Sequence, residues 1–430
     1  MIRITVAIPV YNAAKHIDVL FDSLMRQTMN REYFEVICVN DCSTDNSKEV
    51  IEKYSQMLGN VVLIDRVENS GGPVVPRNDA INAARGEYIH FVDNDDFLGE
   101  EALERLYQAA HENQSDVIFG RYIGVNGRGI PYATFKHGNR PKADLITDDL
   151  IYAIAPHKMF RLAFLREHGI KFDLYATAGN DDQLFVMQCY IAARVITVLA
   201  DYPYYFIVAR GDENLSSNYV PAADWLYVWH RIIEYMNECI HDEQYKRKIK
   251  ITILNRLPLG TRFETFLLTS KTTREQKIEW LNEANRFVDL YIDDSMIESV
   301  EPRFRLFWRA IKQNDIDALV KMSSESNSNK IRHTRSQVKI KQANTVSYKR
   351  PSVNAIPATT FTKAGEVITV YPTIKGWFEI RRIEKDGTHF AEFIQMKDVR
   401  YTSSYLMLII LNKIKALRWR MFRIMRSFKK

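Results

Sequence analysis

Apolar residues in this chain come in short bursts separated by amphipathic stretches. Ile4 to Val10, Phe34 to Val39, Val61 to Ile64 and Tyr88 to Val92 are continuous and β-prone, the pattern of strands buried on both faces. Between them apolar residues recur at helical spacing: Ile17, Leu20, Phe21 and Leu24, then Val50, Ile51, Tyr54 and Met57, then Ala80, Ile81, Ala83 and Ala84. Asn69-Ser70-Gly71-Gly72-Pro73 breaks the chain before the last of these, whose opening is placed at Arg77-Asn78. Strands alternating with helices predict right-handed crossovers and a mostly parallel sheet. The first, second and fourth strands run into polar residues. Tyr11, Asp41 and Asp93 are therefore expected at one edge, where open α/β sheets bind ligands.

The alternation continues with a helix through Leu103, Leu106, Tyr107 and Ala110 and a strand at Val117-Ile118-Phe119. A turn-rich loop spans Val125 to Pro131, a short core element lies at Met159-Phe160-Arg161, and a helix is read over Ala163 to His168. Asn180-Asp181-Asp182 opens a long apolar helix, Gln183 to Ala193, and Val195 to Leu199 and Tyr204 to Val208 close the α/β part. Spacing such as Trp225, Val228, Trp229, Ile232 and Ile233 is helical from about Ala222 to Lys321. Met322 to Lys349 is polar and reads as a linker. Pro351 to Val399 reads as short strands joined by turns, a small β-barrel pattern that resembles bacterial SH3-like domains at Gly376-Trp377. The expected organisation is thus an α/β domain over 1–221, a helical region over 222–321, a linker over 322–350, a small β domain over 351–402 and a basic helix over 403–430.

At 430 residues the chain has room for two or three domains. Cys38, Cys42, Cys189 and Cys239 have no metal-ligand spacing, so free thiols in a reducing compartment are expected. The N-terminus enters a strand at once, without a signal-peptide layout, and no apolar run reaches the roughly 18 residues a membrane span needs. That excludes a processive synthase with its own membrane channel. Net charge is +6, and much of the excess lies at the end. From Tyr405 to Lys430 there is no acid, and Ile414, Leu417, Met421, Ile424 and Phe428 make one helical stripe. Such a segment either lies on an anionic membrane surface, with Trp419 at the interface, or packs on the protein as a helix or oligomer contact. Nucleic acid is not an expected partner.

The chemistry centres on Phe91-Val92-Asp93-Asn94-Asp95-Asp96. Asp93 and Asp95 would share a face on a continuing strand. Two oxygen donors at a sheet rim suit a hard divalent cation carrying phosphates. The alternative is an acidic surface turn.

Read in order, Pro9-Val10-Tyr11-Asn12, Asp41-Cys42-Ser43-Thr44-Asp45, the Asp-x-Asp and Asp181-Asp182 resemble the family 2 glycosyltransferases of GT-A fold, over roughly Ile4 to Tyr219. Asn69 to Pro73 with Pro76-Arg77-Asn78, Val125 to Pro131, Asp182-Gln183-Leu184-Phe185 and Leu215-Ser216-Ser217 are most similar to the wall teichoic acid N-acetylglucosaminyltransferases that glycosylate poly(ribitol phosphate). The resemblance implies an inverting transfer, most often of GlcNAc, from a UDP-sugar to a hydroxyl of an anionic polymer at the inner face of a bacterial membrane. It implies a uracil pocket at Pro9, Tyr11 and Asp41 and nucleotide-sugar contacts at Asn69, Arg77 and Asn94. Asp93 would face the ribose or the metal, and Asp95 would bind Mn²⁺ or Mg²⁺. Arg210 and Ser216 would face the diphosphate, and Asp182 would be the catalytic base.

Other readings stay open at several positions. Asp182 also suits a helix N-cap, and Asp181 a cap or an orienter. His157, Lys158 and Arg128 are candidates for the acceptor phosphate, or solvated surface cations. Competing functions are a transferase building capsular or other surface polysaccharide on a lipid carrier, and a non-catalytic GT-A scaffold. Intact Asp93, Asp95 and Asp182 argue against the scaffold.

Overall fold

The protein is described from a computed structural model. It covers residues 1–176, 180–210, 220–259, 261–268 and 272–325, then 336–342, 345–348, 357–362, 364, 367–372, 377–383 and 389–401. The chain divides into two compact units. One is Met1–Tyr122 with Gly129–Ile207 and Asp212–Ile331; the other is Ile123–Arg128 with Val208–Gly211 and Arg332–Lys430.

The first unit opens as the apolar pattern predicts. Strands β1 (Ile4–Val10) and β2 (Phe34–Asn40) flank α1 (Ile17–Met25); α2 (Ser47–Leu58) leads to β3 (Val61–Asp65), and α3 (Val74–Ala83) to β4 (Tyr88–Phe91). β1, β2 and β4 are buried along their whole length because helices cover both faces of the sheet. The α1 stripe Ile17, Leu20, Phe21 and Leu24 is buried. On α2, Ile51 is buried but Met57 is 49% exposed, and Tyr54 stacks on Phe21 at 4.7 Å. Helix α3 starts at Val74, three residues before the expected opening. Pro73 caps it, since proline lacks only a donor that the first turn leaves unused anyway.

The remaining elements are β5 (Phe97–Leu98), α4 (Ala102–Asn113), β6 (Val117–Val125), α5 (Tyr132–Phe135), β7 (Met159–Arg161), α6 (Leu162–Glu167), α7 (Asp181–Ala192) and β8 (Ile196–Val208). The sheet order is β3-β2-β1-β4-β7-β6-β8-β5. Its first four strands pair in parallel, whereas β7 is antiparallel to both β4 and β6, and β5 is antiparallel to β8. The mostly parallel expectation is therefore corrected to a mixed sheet. The three-residue β7 fills the slot between β4 and β6, with Met159 opposite both His90 and Ile118. The two closing strands read from the sequence are one long strand, β8.

Helices α8 (Ala222–Cys239), α9 (Glu243–Arg256), α10 (Arg262–Leu267), α11 (Arg274–Tyr291), α12 (Asp294–Ser299), α13 (Pro302–Lys312) and α14 (Ile316–Glu325) follow. Their core is aromatic: the Trp225 ring lies 5.2 Å from Phe263 and 5.6 Å from Trp280, and Phe266 stacks on Trp280 at 4.6 Å. Asn180 donates from Nδ2 to the Trp225 carbonyl at 2.9 Å, which fixes the start of α7 against α8.

In the second unit, β9 (Ser336–Ile340), β10 (Thr345–Tyr348), β11 (Pro357–Phe361), β12 (Val367–Pro372), β13 (Trp377–Ile383), β14 (His389–Gln395) and β15 (Val399–Tyr401) form one sheet ordered β11-β10-β14-β13-β12-β9-β15. The linker expected over 322–350 is corrected: α14 runs to Glu325, and β9 and β10 pair with β12 and β14. Cross-strand bonds there outweigh the polar composition. The basic segment 403–430 lies outside the described residues. Among the described residues no helix is long and apolar enough to cross a membrane.

Candidate active site

The C-terminal ends of β1, β2 and β4 meet the N-terminus of α7. After β1 the chain turns through Asn12 at φ +47°, whose N–H donates to Ser43 Oγ at 3.0 Å and whose Oδ1 accepts from the Thr44 N–H at 2.8 Å. The Pro9 carbonyl accepts from Asn94 Nδ2 at 2.9 Å. Three rim loops are thereby tied together. Tyr11 stands 49% exposed above them, a surface aromatic and not a core one.

Asp41 is buried and accepts from Arg66 Nε at 2.9 Å, from the Ser70 N–H at 3.0 Å and from Ser70 Oγ at 2.8 Å. Asn69 donates to the Asp41 carbonyl at 2.9 Å and accepts from the Gly71 N–H at 2.8 Å, with Gly71 at φ +84°. A side chain at Gly71 would strain that turn. Both polar side chains hold the loop in shape, a task their expected contacts with a nucleotide did not include.

The centre is a buried acid cluster around one arginine. Arg77 is 5% exposed; Nη2 donates to Asp93 Oδ1 at 2.9 Å and Nη1 to Asp181 Oδ2 at 3.1 Å, with the Phe172 ring 5.2 Å away. Asn78, next in the helix, holds Phe172 through both its backbone N–H and its carbonyl, at 2.9 and 2.8 Å. On the far side of Asp93, Oδ2 lies 2.8 Å from His157 Nε2. His157 stacks on Tyr205 at 4.6 Å, and the Tyr205 hydroxyl accepts from the Asp93 N–H at 3.1 Å. Burial works against a charged Asp93, but His157 and Arg77 outweigh it and hold the carboxyl well below the usual range. Burial also depresses His157, against the opposing pull of Asp93.

The expectation that Asp93 and Asp95 share a strand face is corrected. The strand stops at Phe91, and a turn closed by the Asp96 N–H on the Asp93 carbonyl at 3.1 Å carries residues 93–96. Donor atoms of Asp93, Asp96 and His157 lie within 4.8 Å of one another; Asp95 is outside that group. Two carboxylates and an imidazole fit a divalent cation.

Asp182 sits in the first turn of α7, with Asn180 at the cap position. Its Oδ1 is buried without a hydrogen-bond partner. Burial first, then the charge of Asp181, pushes its carboxyl up to about 7, against the opposing pull of Arg77. A carboxylate with that affinity for a proton is matched to general-base work near neutral pH.

Other expectations are corrected. His157 and Lys158 are not surface cations. Lys158 is fully buried, donating to the Tyr122 hydroxyl at 2.9 Å and the Ala155 carbonyl at 2.6 Å, with Nζ 4.5 Å from the Phe119 ring centre. Burial pushes its pKa down to about 7. It is out of reach of a polymer phosphate. Arg128 is exposed and Arg210 half-buried, and both fall in the second unit; Ser216 lies outside the described residues. Sequence reasoning missed Asp96 and Tyr205. Asp96 was legible as the third acid of the motif; Tyr205 was hidden in a strand-like aromatic run.

Residues 5–169 match the family model "Glycosyl transferase family 2", and residues 223–323 match "Glycosyl transferase TarS linker domain". The chain is 39% identical over 323 residues to a poly(ribitol-phosphate) beta-glucosyltransferase of Bacillus spizizenii, covering 75% of this chain and 50% of that protein. It is 33% identical over 333 residues to the poly(ribitol-phosphate) beta-N-acetylglucosaminyltransferase TarP of Staphylococcus aureus, covering 74% of this chain and 98% of TarP. The crystal structure of S. aureus TarS 1-349 in complex with UDP-GlcNAc superposes with a TM-score of 0.70 at 31% identity, over 85% of this chain and 99% of that one. The chain spans about half the length of the Bacillus protein and of full TarS.

Proposed function

The chain belongs to the family 2 glycosyltransferases, among those of wall teichoic acid, and from that premise we propose that it transfers a hexose from a UDP-sugar to a hydroxyl of poly(ribitol phosphate), with inversion. The observation that carries the reading is Asp182: an unpartnered carboxylate oxygen at a helix start, its proton affinity raised to about 7, beside a donor set suited to a cation.

Asp182 takes the proton of the acceptor hydroxyl as its oxygen attacks the anomeric carbon. The bond from that carbon to the β-phosphate oxygen breaks, and UDP leaves with the electron pair. One base suffices for a single displacement, and such a base contributes roughly 10²–10⁴-fold. Asp93, Asp96 and His157 would hold a divalent cation such as Mn²⁺ or Mg²⁺. Bound there, a divalent cation neutralises charge on the departing diphosphate. Pro9, Tyr11 and Asp41 take the uracil in this reading, and Asn69 and Asn94 the sugar; the roles the resemblance implies for Arg210 and Ser216 toward the diphosphate and for Arg128 toward the polymer are part of the same proposal. The polymer is met at the inner membrane face, where the basic segment 403–430 is read as the surface anchor.

GlcNAc is the sugar implied by the sequence resemblance. Glucose is the second reading, favoured by the 39% identity to the Bacillus glucosyltransferase. The test is UDP release on poly(ribitol phosphate) with UDP-GlcNAc, UDP-Glc, UDP-GalNAc and UDP-Gal, with and without Mn²⁺. Polymer-dependent turnover with one of the first two donors is expected. Turnover only on a lipid-linked oligosaccharide, or none with any donor, refutes the reading.

A further inference from the structure

Between the donor-side carboxylate Asp93 and the helix that carries Asp182 lies a buried cation that touches both sides, Arg77. The Arg77 guanidinium reaches Asp93 through Nη2 at 2.9 Å and Asp181 through Nη1 at 3.1 Å. Asp181 is 2% exposed and immediately precedes Asp182 in the first turn of α7. The fork of a guanidinium can make two such bonds at once in fixed directions, which an ammonium cannot. Phe172 closes the other face of Arg77, itself stacked at 4.0 Å on Phe185 of α7 and held by Asn78 of α3. Arg77 and Asn78 thus clamp α3 to α7 on two adjacent contacts.

We propose that Arg77 and Asp181 are positioning residues for the transfer, a strut through which the carboxylate that orders the donor side also fixes the place and charge environment of the base. This rests on the reading of Asp182 as that base. The sequence resemblance assigns Arg77 to the sugar nucleotide; here each of its terminal nitrogens donates to a protein carboxylate.

The charged groups that face Asp182 are Asp181 on its own helix, Arg77 from α3, Asp93 from the loop after β4 and Lys158 from the residue before β7. Asp181 and Asp93 raise its proton affinity; Arg77 and Lys158 oppose them. Replacing Asp181 by Asn removes one negative neighbour and leaves Arg77 with one fewer carboxylate, so both changes act in the same direction. The acid limb of the kcat profile should move to lower pH.

The experiment uses the full chain, with UDP release measured against pH from 5 to 9 at saturating acceptor polymer. For Asp181→Asn the acid limb should move down by about one pH unit or more, with donor KM within about twofold of wild type. For Arg77→Lys, which keeps the charge but not the fork, kcat should fall by about tenfold or more while donor KM changes little. An unmoved limb for Asp181→Asn overturns the proposal, as does a rise in donor KM at constant kcat for either variant, which would make the pair donor ligands. If Arg77→Lys fails to fold, Asp181→Asn decides alone. Asp182→Asn separates the two levels: full transfer by that variant defeats the base reading, whereas its inactivity combined with a wild-type profile for Asp181→Asn defeats the strut alone.

Discussion

Replacing Asp182 by Asn should cost the reaction and help the fold. The carboxyl rises from an ordinary 3.8 to about 7, through burial and the charge of Asp181. In the unfolded chain it ionises near 3.9. Between about pH 4 and pH 7 the native state keeps the proton that the unfolded state has lost, so wild-type stability from this group falls as pH rises through that window and stays low above it. At about 1.36 kcal/mol per pH unit the full penalty is about 4 kcal/mol. Asp182 is only partly buried, and screening by water reduces that ceiling to about 2 kcal/mol. Asn has no titration in this range and fits the same space. Urea unfolding at pH 8 should therefore find Asp182→Asn more stable than wild type by about 2 kcal/mol, the gain vanishing near pH 4. In parallel, UDP release on the polymer should fall by about 10²-fold or more, with donor affinity unchanged. A variant less stable than wild type at pH 8, or a difference independent of pH, would refute the argument that desolvation sets this carboxyl. Transfer within tenfold of wild type would refute its role as base.

Four further outcomes follow from the same geometry. If Asp93, Asp96 and His157 hold the cation, EDTA should abolish turnover, and Asp96→Ala should weaken Mn²⁺ binding by calorimetry more than Asp95→Ala does; the reverse order would restore the ligand set expected from the sequence. Lys158 is buried with neutral partners, and its depressed pKa of about 7 means the unfolded state holds more protons between about pH 7 and 10. Lys158→Met should accordingly stabilise by about 1–4 kcal/mol at or below pH 7, the gain shrinking toward pH 10; a gain that grows with pH would contradict this. Asn78→Ala removes both bonds to Phe172 and should cost about 1–3 kcal/mol in thermal or urea unfolding, where no loss would mean that the loop is held by ring stacking alone. The full chain should co-sediment with anionic vesicles and a chain ending near Thr402 should not; equal binding by both, or binding indifferent to lipid charge, would exclude the anchor.

What the sequence alone determined is the part of the protein set by period and order. Continuous apolar runs separated by helical stripes are enough to specify β1 to β4 and the helices between them, because burial on both faces leaves no other use for such runs. The position of each strand's last apolar residue put Tyr11, Asp41 and Asp93 at one rim, and the order of the acid motifs pointed to the glycosyltransferase family. What only the tertiary structure decided are contacts between residues far apart in the chain. The pairing of Arg77 with Asp181 spans 104 positions and that of His157 with Asp93 spans 64, and nothing local in either segment requires them. The same reason explains Lys158, which reads as a surface cation beside His157 until β7 is slotted between β4 and β6 and draws it inside. It explains β9 and β10 too, whose polar residues look like a linker until cross-strand hydrogen bonds satisfy their backbone. A side chain's period is written in its neighbours along the chain, whereas its charge state and partners are set by groups brought next to it only when the sheet and the helices have packed.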